Sequence, residues 1–482
     1  MSRCTVKKIL RKACNLDIPG TVAYNENIKN GKGKWRMERV HTHIDDNFEE
    51  YLTAIGGIIR QRSISATGEG IRECAALLAE MMASAGIKTE IRETDGNPVV
   101  YGELFSERQD AKTVLFYGHY DVQPPEPLEL WDSEPFEPSI RNGRLYARGI
   151  ADNKGQLMAH ILAIRAFRES GAEIPCNAKF VFEGEEESGS TNLAAFVERN
   201  RELLDCDIAL AVDGPMLSGD VLNVCLGCRG VVNFEIELET AQFDCHSGRG
   251  GDIIPNAGWE LLRLLRTMKD EQGNILIEGF MDGVRSPTEK DMEVIDGLPF
   301  DRENLKSLYG VPSFGLDKRQ YYTKLNLMPT LTINGITCGY QGKGSKTINP
   351  AKSSVKMDAR LVVDQDPLDI AEKIKKHVAL HAPGARVTVH GFMHPSKTDG
   401  DLPVCRTVVA ALEKVYVDNV ALSLGLGGSL PSYVWTDILG VPALGIPYAN
   451  QDSGGHAPNE NFRVELLQKA VHASAQILFD MK

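Results

Sequence analysis

The sequence predicts an α/β protein in which a helix-flanked sheet carries an inserted ferredoxin-like α+β unit. Three observations lead there. Four apolar strands each run straight into a cluster of His, Asp or Glu; the stretch 231–392 changes character and reads β-α-β-β-α-β; and 482 residues are too many for one ordinary core. Open α/β sheets hold their ligands just past the carboxyl ends of the strands, which is where these polar clusters stand.

The chain opens on a basic extension, 1–36, with nine Lys/Arg against two acidic residues. It lacks the continuous apolar core of a secretory signal and the Ser-rich, acid-free character of a transit peptide. Met37 begins a segment of globular character, and 45–62 carries a helical pattern. His41 and His43, in VHTHIDD, tempt a metal reading but lack a partner ligand cluster and read as exposed turn histidines. IRECAALLAEMMASAG, within 68–86, is a helix stopped by Gly86, a residue type that ends helices. Segments 87–94 and 98–104 then alternate as strands.

The chain is organised around 113–155. Its buried strand stops at Gly118, and His119 and Asp121 follow two residues apart, so an extended backbone points both side chains the same way. Asp152-Asn153-Lys154-Gly155 then opens an amphipathic helix over 156–170. A second strand, 178–182, runs into Glu183-Gly-Glu185-Glu186-Glu187-Ser188-Gly-Ser. A third, 208–212, ends on Asp213-Gly-Pro, and a fourth, 441–447, precedes a loop ending at His456. A glutamate run is usually a solvated face, but this one follows a buried strand and ends in a glycine turn. Imidazole beside carboxylates at the mouths of buried strands suits a borderline-soft cation such as zinc.

The inserted unit spans strands 231–239, 330–336, 354–362 and 386–390 with helices 256–269 and 367–380; 270–329 has no assignable pattern. Helices 404–416 and 465–479 rejoin the first unit, because the fourth ligand strand lies between them. The expected organisation is therefore an extension (1–36), a first domain in two pieces (37–230 and 393–482) and an inserted domain (231–392).

Composition narrows the function. A formal charge of −13 argues against nucleic acid or an anionic membrane as partner, and no apolar run approaches the length of a membrane span. The ten cysteines are scattered, and Cys225/Cys228 lack the second pair a zinc site needs. A reducing compartment, most simply the cytoplasm, is expected.

LFYGHYDVQP, ARGIADNKG, FEGEEESGS, AVDGP, DCHSGRGGD, GLGGSLP and SGGHAPNE resemble the motif series of the carnosinase, aminoacylase and carboxypeptidase-G metallopeptidase family, in the family's order and from about residue 38 to the C-terminus. WDSEPFEP is most similar to the dipeptidase branch. The resemblance implies a two-cation site, usually zinc and in some members manganese. Asp152 would bridge the ions, His119 and Asp213 would complete one, and Glu187 and His456 the other. It makes Glu186 the general base and Asp121 the carboxylate that orients His119, and it carries a cis peptide at Asp152–Asn153. The family usually has two acidic residues before Ser-Gly-Ser; alignment on Ser188 makes Glu185 the extra one.

The resemblance makes 37–230 with 393–482 the catalytic domain and 231–392 a lid and dimerisation domain, and it further implies a homodimer in which His246 reaches across to polarise the substrate carbonyl. Arg360 would clamp the substrate's free carboxylate, with Thr347 and Ser429 lining the cleft. One departure stands out: Leu426 occupies a position where this branch often has an acidic residue or arginine. The expected reaction is hydrolysis of dipeptides or short peptides with a free carboxylate, and deacylation of N-acyl amino acids would use the same site. A non-catalytic scaffold would have lost a ligand or the base, and all are present.

Overall fold

A computed structural model describes residues 31–482, with side chains from Arg36 onward; residues 1–30 of the basic extension lie outside the described residues. The chain runs through α1 (Gly31–Arg60), α2 (Ile71–Ser84), β1 (Lys88–Arg92), β2 (Val99–Leu104), β3 (Thr113–His119), α3 (Lys154–Ser170), β4 (Asn177–Glu183), β5 (Ile208–Ala211) and β6 (Leu222–Cys225). It continues through β7 (Gly230–Glu239), α4 (Ala257–Met268), β8 (Thr330–Cys338), β9 (Lys352–Leu361), α5 (Pro367–His381) and β10 (Arg386–Met393), and closes with α6 (Pro403–Tyr416), β11 (Val420–Ser423), β12 (Ala443–Gly445) and α7 (Val464–Asp480).

The first sheet is mixed and eight-stranded, in the order β1-β2-β4-β3-β5-β12-β6-β11. At its centre β4, β3, β5 and β12 are mutually parallel, so their carboxyl ends share one edge. The segments that follow them carry Glu186 and Glu187, His119 and Asp121, Asp213, and His456. Helices α1, α3, α6 and α7 cover one face through a core that includes Ile55, Ile161, Leu412 and Ile477. The other face packs Leu193, Phe196 and Trp435 against Leu115 and Tyr117 of β3. Being buried on both faces explains why these strands read as largely apolar runs, broken in β4 only by Lys179, whose ammonium donates to Asp205 O.

The second sheet has the order β8-β9-β7-β10, antiparallel throughout. With α4 and α5 packed on one face, it is the β-α-β-β-α-β arrangement that the sequence pattern predicts. The unassigned stretch 270–329 holds three short helices, Glu289–Gly297, Arg302–Leu308 and Lys318–Asn326. Two start with reciprocal capping boxes, Thr288/Asp291 and Asp317/Gln320. Their apolar residues Ile295 and Tyr322 pack with Leu424 and Ala421 near the end of β11, on the edge of the first sheet. Each helix is too short for its periodicity to stand out in sequence.

One expectation is overturned. His41 and His43 are not turn residues; both lie in α1, and His41 is buried with Nδ1 2.7 Å from Nδ1 of His472 on α7. Val40, Ile44, Phe48, Tyr51 and Ile55 recur at helical spacing and bury that face. Reading the helix from residue 45 cut its first turns off.

Candidate metal centre

Strand β3 ends on a fully buried imidazole. His119 Nε2 lies 3.1 Å from Asp152 Oδ1 and 3.6 Å from Asp213 Oδ2. The other Asp152 oxygen, Oδ2, lies 3.0 Å from His456 Nε2, which in turn is 3.2 Å from Glu187 Oε2. Two triads result, His119–Asp152–Asp213 and Asp152–Glu187–His456, with the ligand atoms of each within 4.8 Å of one another.

Local sequence sets this geometry. Asp152 sits on the turn before α3, and a Cβ at Gly155 would lie 2.0 Å from the Ile150 carbonyl oxygen, so that turn closes only on glycine. The Asp152–Asn153 peptide is cis. Asn153 couples the ligand strands: its Oδ1 accepts from the His119 N–H at 3.3 Å, and its Nδ2 donates to Val212 O at 2.6 Å and Asp213 Oδ1 at 3.1 Å. His456 has φ 63°, a left-handed conformation that costs a side-chain-bearing residue about 1–2 kcal/mol and persists only where its surroundings hold it.

Asp121 has a broader task than the expected one. Its backbone carbonyl, at 3.0 Å, is closer to His119 Nδ1 than its carboxylate at 3.3 Å. The carboxylate instead accepts the backbone N–H groups of Glu186 (3.2 Å) and Glu187 (3.1 Å). Gln123, two residues further along, donates to Glu187 Oε2 at 2.8 Å. Glu185 turns away, accepting from Asn97 N at 2.9 Å and from Asn192 Nδ2. In the glutamate run, Glu187 therefore meets His456 and Glu186 stands beside it without a ligand partner.

The donor set fits cations. Burial raises the Glu186 carboxyl well above its ordinary range, and the nearby Asp213, Asp152 and Glu187 push the same way against His119. Burial also raises Asp152, but hydrogen bonds from His119 and His456 outweigh it and hold that carboxyl low. Asp152 and Glu187 in turn lift His456 to about 10, so a proton on its imidazole stands where positive charge is wanted. Glu187 Oε1 is buried with no hydrogen-bond partner among the described residues. Converging buried carboxylates with an orphaned oxygen are costly unless positive charge enters, and two divalent ions in the two triads would supply it.

The remaining expected residues form two further groups. Arg360 Nη1 donates to Ser429 Oγ at 2.7 Å, with Asp358 3.7 Å from its Nε. Exposed His246 lies on a two-residue strand paired with Ile348–Asn349, and the adjoining Ser247 N–H donates to Thr347 O, which places Thr347 beside it. Leu426 is fixed through its backbone N–H to Gly227 O. Sequence reasoning missed Asn153, Gln123 and Arg229, whose guanidinium holds the Gly427 carbonyl of the glycine-rich loop. Asn153 and Gln123 adjoin quoted motif residues and were within reach; Arg229 had no signal. A cavity of about 330 Å³ lined by Arg92, Asp95, Asn192 and Arg199 contains no ligand residue. The chemistry of the donors, rather than cavity size, marks the site.

Residues 115–480 match the model of peptidase family M20/M25/M40. The Cys-Gly metallodipeptidase of Schizosaccharomyces pombe is 31% identical over 368 residues, 72% of this chain and 76% of that protein. The β-Ala-His dipeptidase of Homo sapiens is 32% identical over 284 residues, covering 58% of this chain and 56% of that one. Among solved structures, an M20 metallo-carboxypeptidase from Sulfolobus solfataricus superposes with a TM-score of 0.85 at 35% identity, covering 90% of this chain and 99% of its own. The dipeptidase Dug1p of Saccharomyces cerevisiae gives 0.82 at 25% identity, covering 92% and 98%.

Proposed function

Because the chain belongs to peptidase family M20/M25/M40, we propose that it is a metal-dependent dipeptidase that hydrolyses the amide bond of dipeptides or short peptides bearing a free carboxylate. The observation that carries this reading is the pair of triads sharing Asp152, with the unligated Glu186 beside them. The Cys-Gly and β-Ala-His dipeptides that name its relatives are the first substrates to try. N-acyl amino acid deacylation is the less favoured alternative, since these relatives are dipeptidases.

His119, Asp152 and Asp213 would hold one divalent ion and Asp152, Glu187 and His456 the other, zinc first and manganese second. When bound, such ions polarise the scissile carbonyl and make a water acidic enough to attack near neutral pH. Glu186, which stands beside the triads without a ligand partner, takes the proton from the attacking water and returns it to the departing amine. Asp121 holds the turn that aims Glu186 and Glu187. Arg360, its fork braced by Ser429, grips the substrate carboxylate through paired N–H donors, and Thr347, beside His246, lines the cleft that His246 reaches. His246 donates to the developing oxyanion of a neighbouring subunit's substrate.

That last role needs a homodimer, and the lid offers a face for one. Edge strand β8 exposes Ile333 and Ile336, and α4 beside it exposes Trp259 (65%) and Leu262. An unpaired apolar edge of this kind invites pairing with a second copy. Cytoplasmic placement is part of the same reading; no described helix is long and apolar enough to cross a membrane.

The test is Glu186→Ala in zinc- or manganese-reconstituted protein. Turnover should vanish with both metals retained; undiminished activity on Cys-Gly and β-Ala-His sinks the mechanism.

A further inference from the structure

A carboxylate outside the ligand set grips the loop that carries the bridging aspartate. Glu460 is completely buried. Its Oε1 accepts the backbone N–H of Ala151 at 2.8 Å and of Asp152 itself at 3.0 Å. Its Oε2 accepts the Gly149 N–H at 3.0 Å and Arg148 Nη1 at 2.7 Å. Its own backbone carbonyl accepts the Ala147 N–H at 3.1 Å. Both oxygens are therefore filled by donors from one five-residue stretch that ends on Asp152.

Glu460 lies four residues beyond His456, and the next residue fastens the histidine's loop. The Asn461 side chain donates to the carbonyls of Asp452 (3.3 Å), Ser453 (3.2 Å) and Asn459 (3.1 Å), while its N–H donates to Ser453 O at 2.7 Å. One dipeptide, Glu460-Asn461, thus ties the loop of the bridging carboxylate to the loop of His456. The 3.0 Å approach of Asp152 Oδ2 to His456 Nε2 spans these two loops.

We propose that Glu460 is a positioning residue that presets the bridging carboxylate of Asp152 against His456 before any cation arrives. The chemistry supports this role: a buried carboxylate takes four N–H donors only in its ionised form, and each such bond is stronger than a neutral one. Partners of this kind behind metal ligands typically govern metal affinity by about 10- to 100-fold. The inference rests on the two-cation reading above and extends it to residues that touch neither ion.

Glu460→Gln tests it, since an amide turns one oxygen into a donor facing donors at unchanged size. Competition with a chromophoric zinc chelator should show zinc affinity about 10- to 100-fold weaker than the parent's, with excess zinc recovering bound metal. A folded variant that loses thermal stability but keeps parental zinc affinity overturns the proposal, because a purely structural role predicts that result. Hydrogen exchange on the metal-free parent gives an answer independent of the variant's folding. The amides of Gly149, Ala151 and Asp152 should be protected without metal, and fast exchange there also overturns the proposal. A parent that binds no zinc at all would instead remove the two-cation reading on which it rests.

Discussion

Asp121→Asn separates two roles that one residue combines. Both carboxylate oxygens accept backbone N–H groups, from Glu186 at 3.2 Å and Glu187 at 3.1 Å, and Asp121 itself is fully buried. An asparagine of the same size keeps one acceptor oxygen, so one of those N–H groups must face an NH2. A hydrogen bond to a charged acceptor contributes about 1.5–3 kcal/mol. Expressed in the transition state, that loss lowers kcat/KM by about 10- to 150-fold. The His119 tautomer should survive, because the nearer partner of its Nδ1 is the Asp121 backbone carbonyl at 3.0 Å, which the substitution leaves in place. The assay is steady-state dipeptide hydrolysis at saturating metal, with bound metal counted on the same samples. Activity within about threefold of the parent, at unchanged metal content, would refute the idea that this carboxylate aims the base.

Arg360→Met should raise KM and lower kcat/KM by at least about thirtyfold, the equivalent of about 2 kcal/mol for a lost charged partner. A C-terminally amidated substrate, which lacks the gripped carboxylate, should be nearly unaffected; equal losses on both would remove the clamp. His160 is fully buried on α3 against Phe116, with neither ring nitrogen partnered among the described residues, and burial lowers its pKa to about 3. Between about pH 6.5 and 3 the unfolded chain takes a proton that the folded one refuses, so this group costs stability as pH falls, by about 1.4 kcal/mol per unit. His160→Leu should therefore raise the urea midpoint, and its advantage should grow by about 2 kcal/mol between pH 7.5 and pH 5; a constant advantage would show that the imidazole does not titrate this way. Trp259→Glu on the exposed lid face should give a monomer in sedimentation and a large fall in activity, whereas a fully active monomer would remove both the dimer and the action of His246 across it.

Much of the fold was legible in sequence because its strongest signals are local. The strands β3, β4 and β5 are buried on both faces, so each is an apolar run, and each ends where its polar cluster begins. The lid alternates because one face of its sheet is covered by α4 and α5. Helix α1 was shortened, and with it His41 was misplaced, because its charged first turns hide an apolar stripe that only the helices packed against it reveal. The short helices within 270–329 stayed unread because their contacts are with a strand more than ninety residues later in sequence, near Leu424.

The sequence by itself marked the residues proposed to carry the chemistry, since histidine and carboxylates past buried strands point to cation binding wherever they meet. Only the tertiary structure decided how they meet. The parallel order β4-β3-β5-β12 brings four separated segments to one edge, and the turn before α3 sets Asp152 among them with one oxygen toward each triad. The tertiary structure also supplied the contacts behind the proposed supporting roles: apart from Arg148, the donors to the Glu460 carboxylate are backbone N–H groups, as are those that Asp121 takes from Glu186 and Glu187. Every residue but proline carries an N–H, so nothing in a sequence marks which ones a buried carboxylate will find.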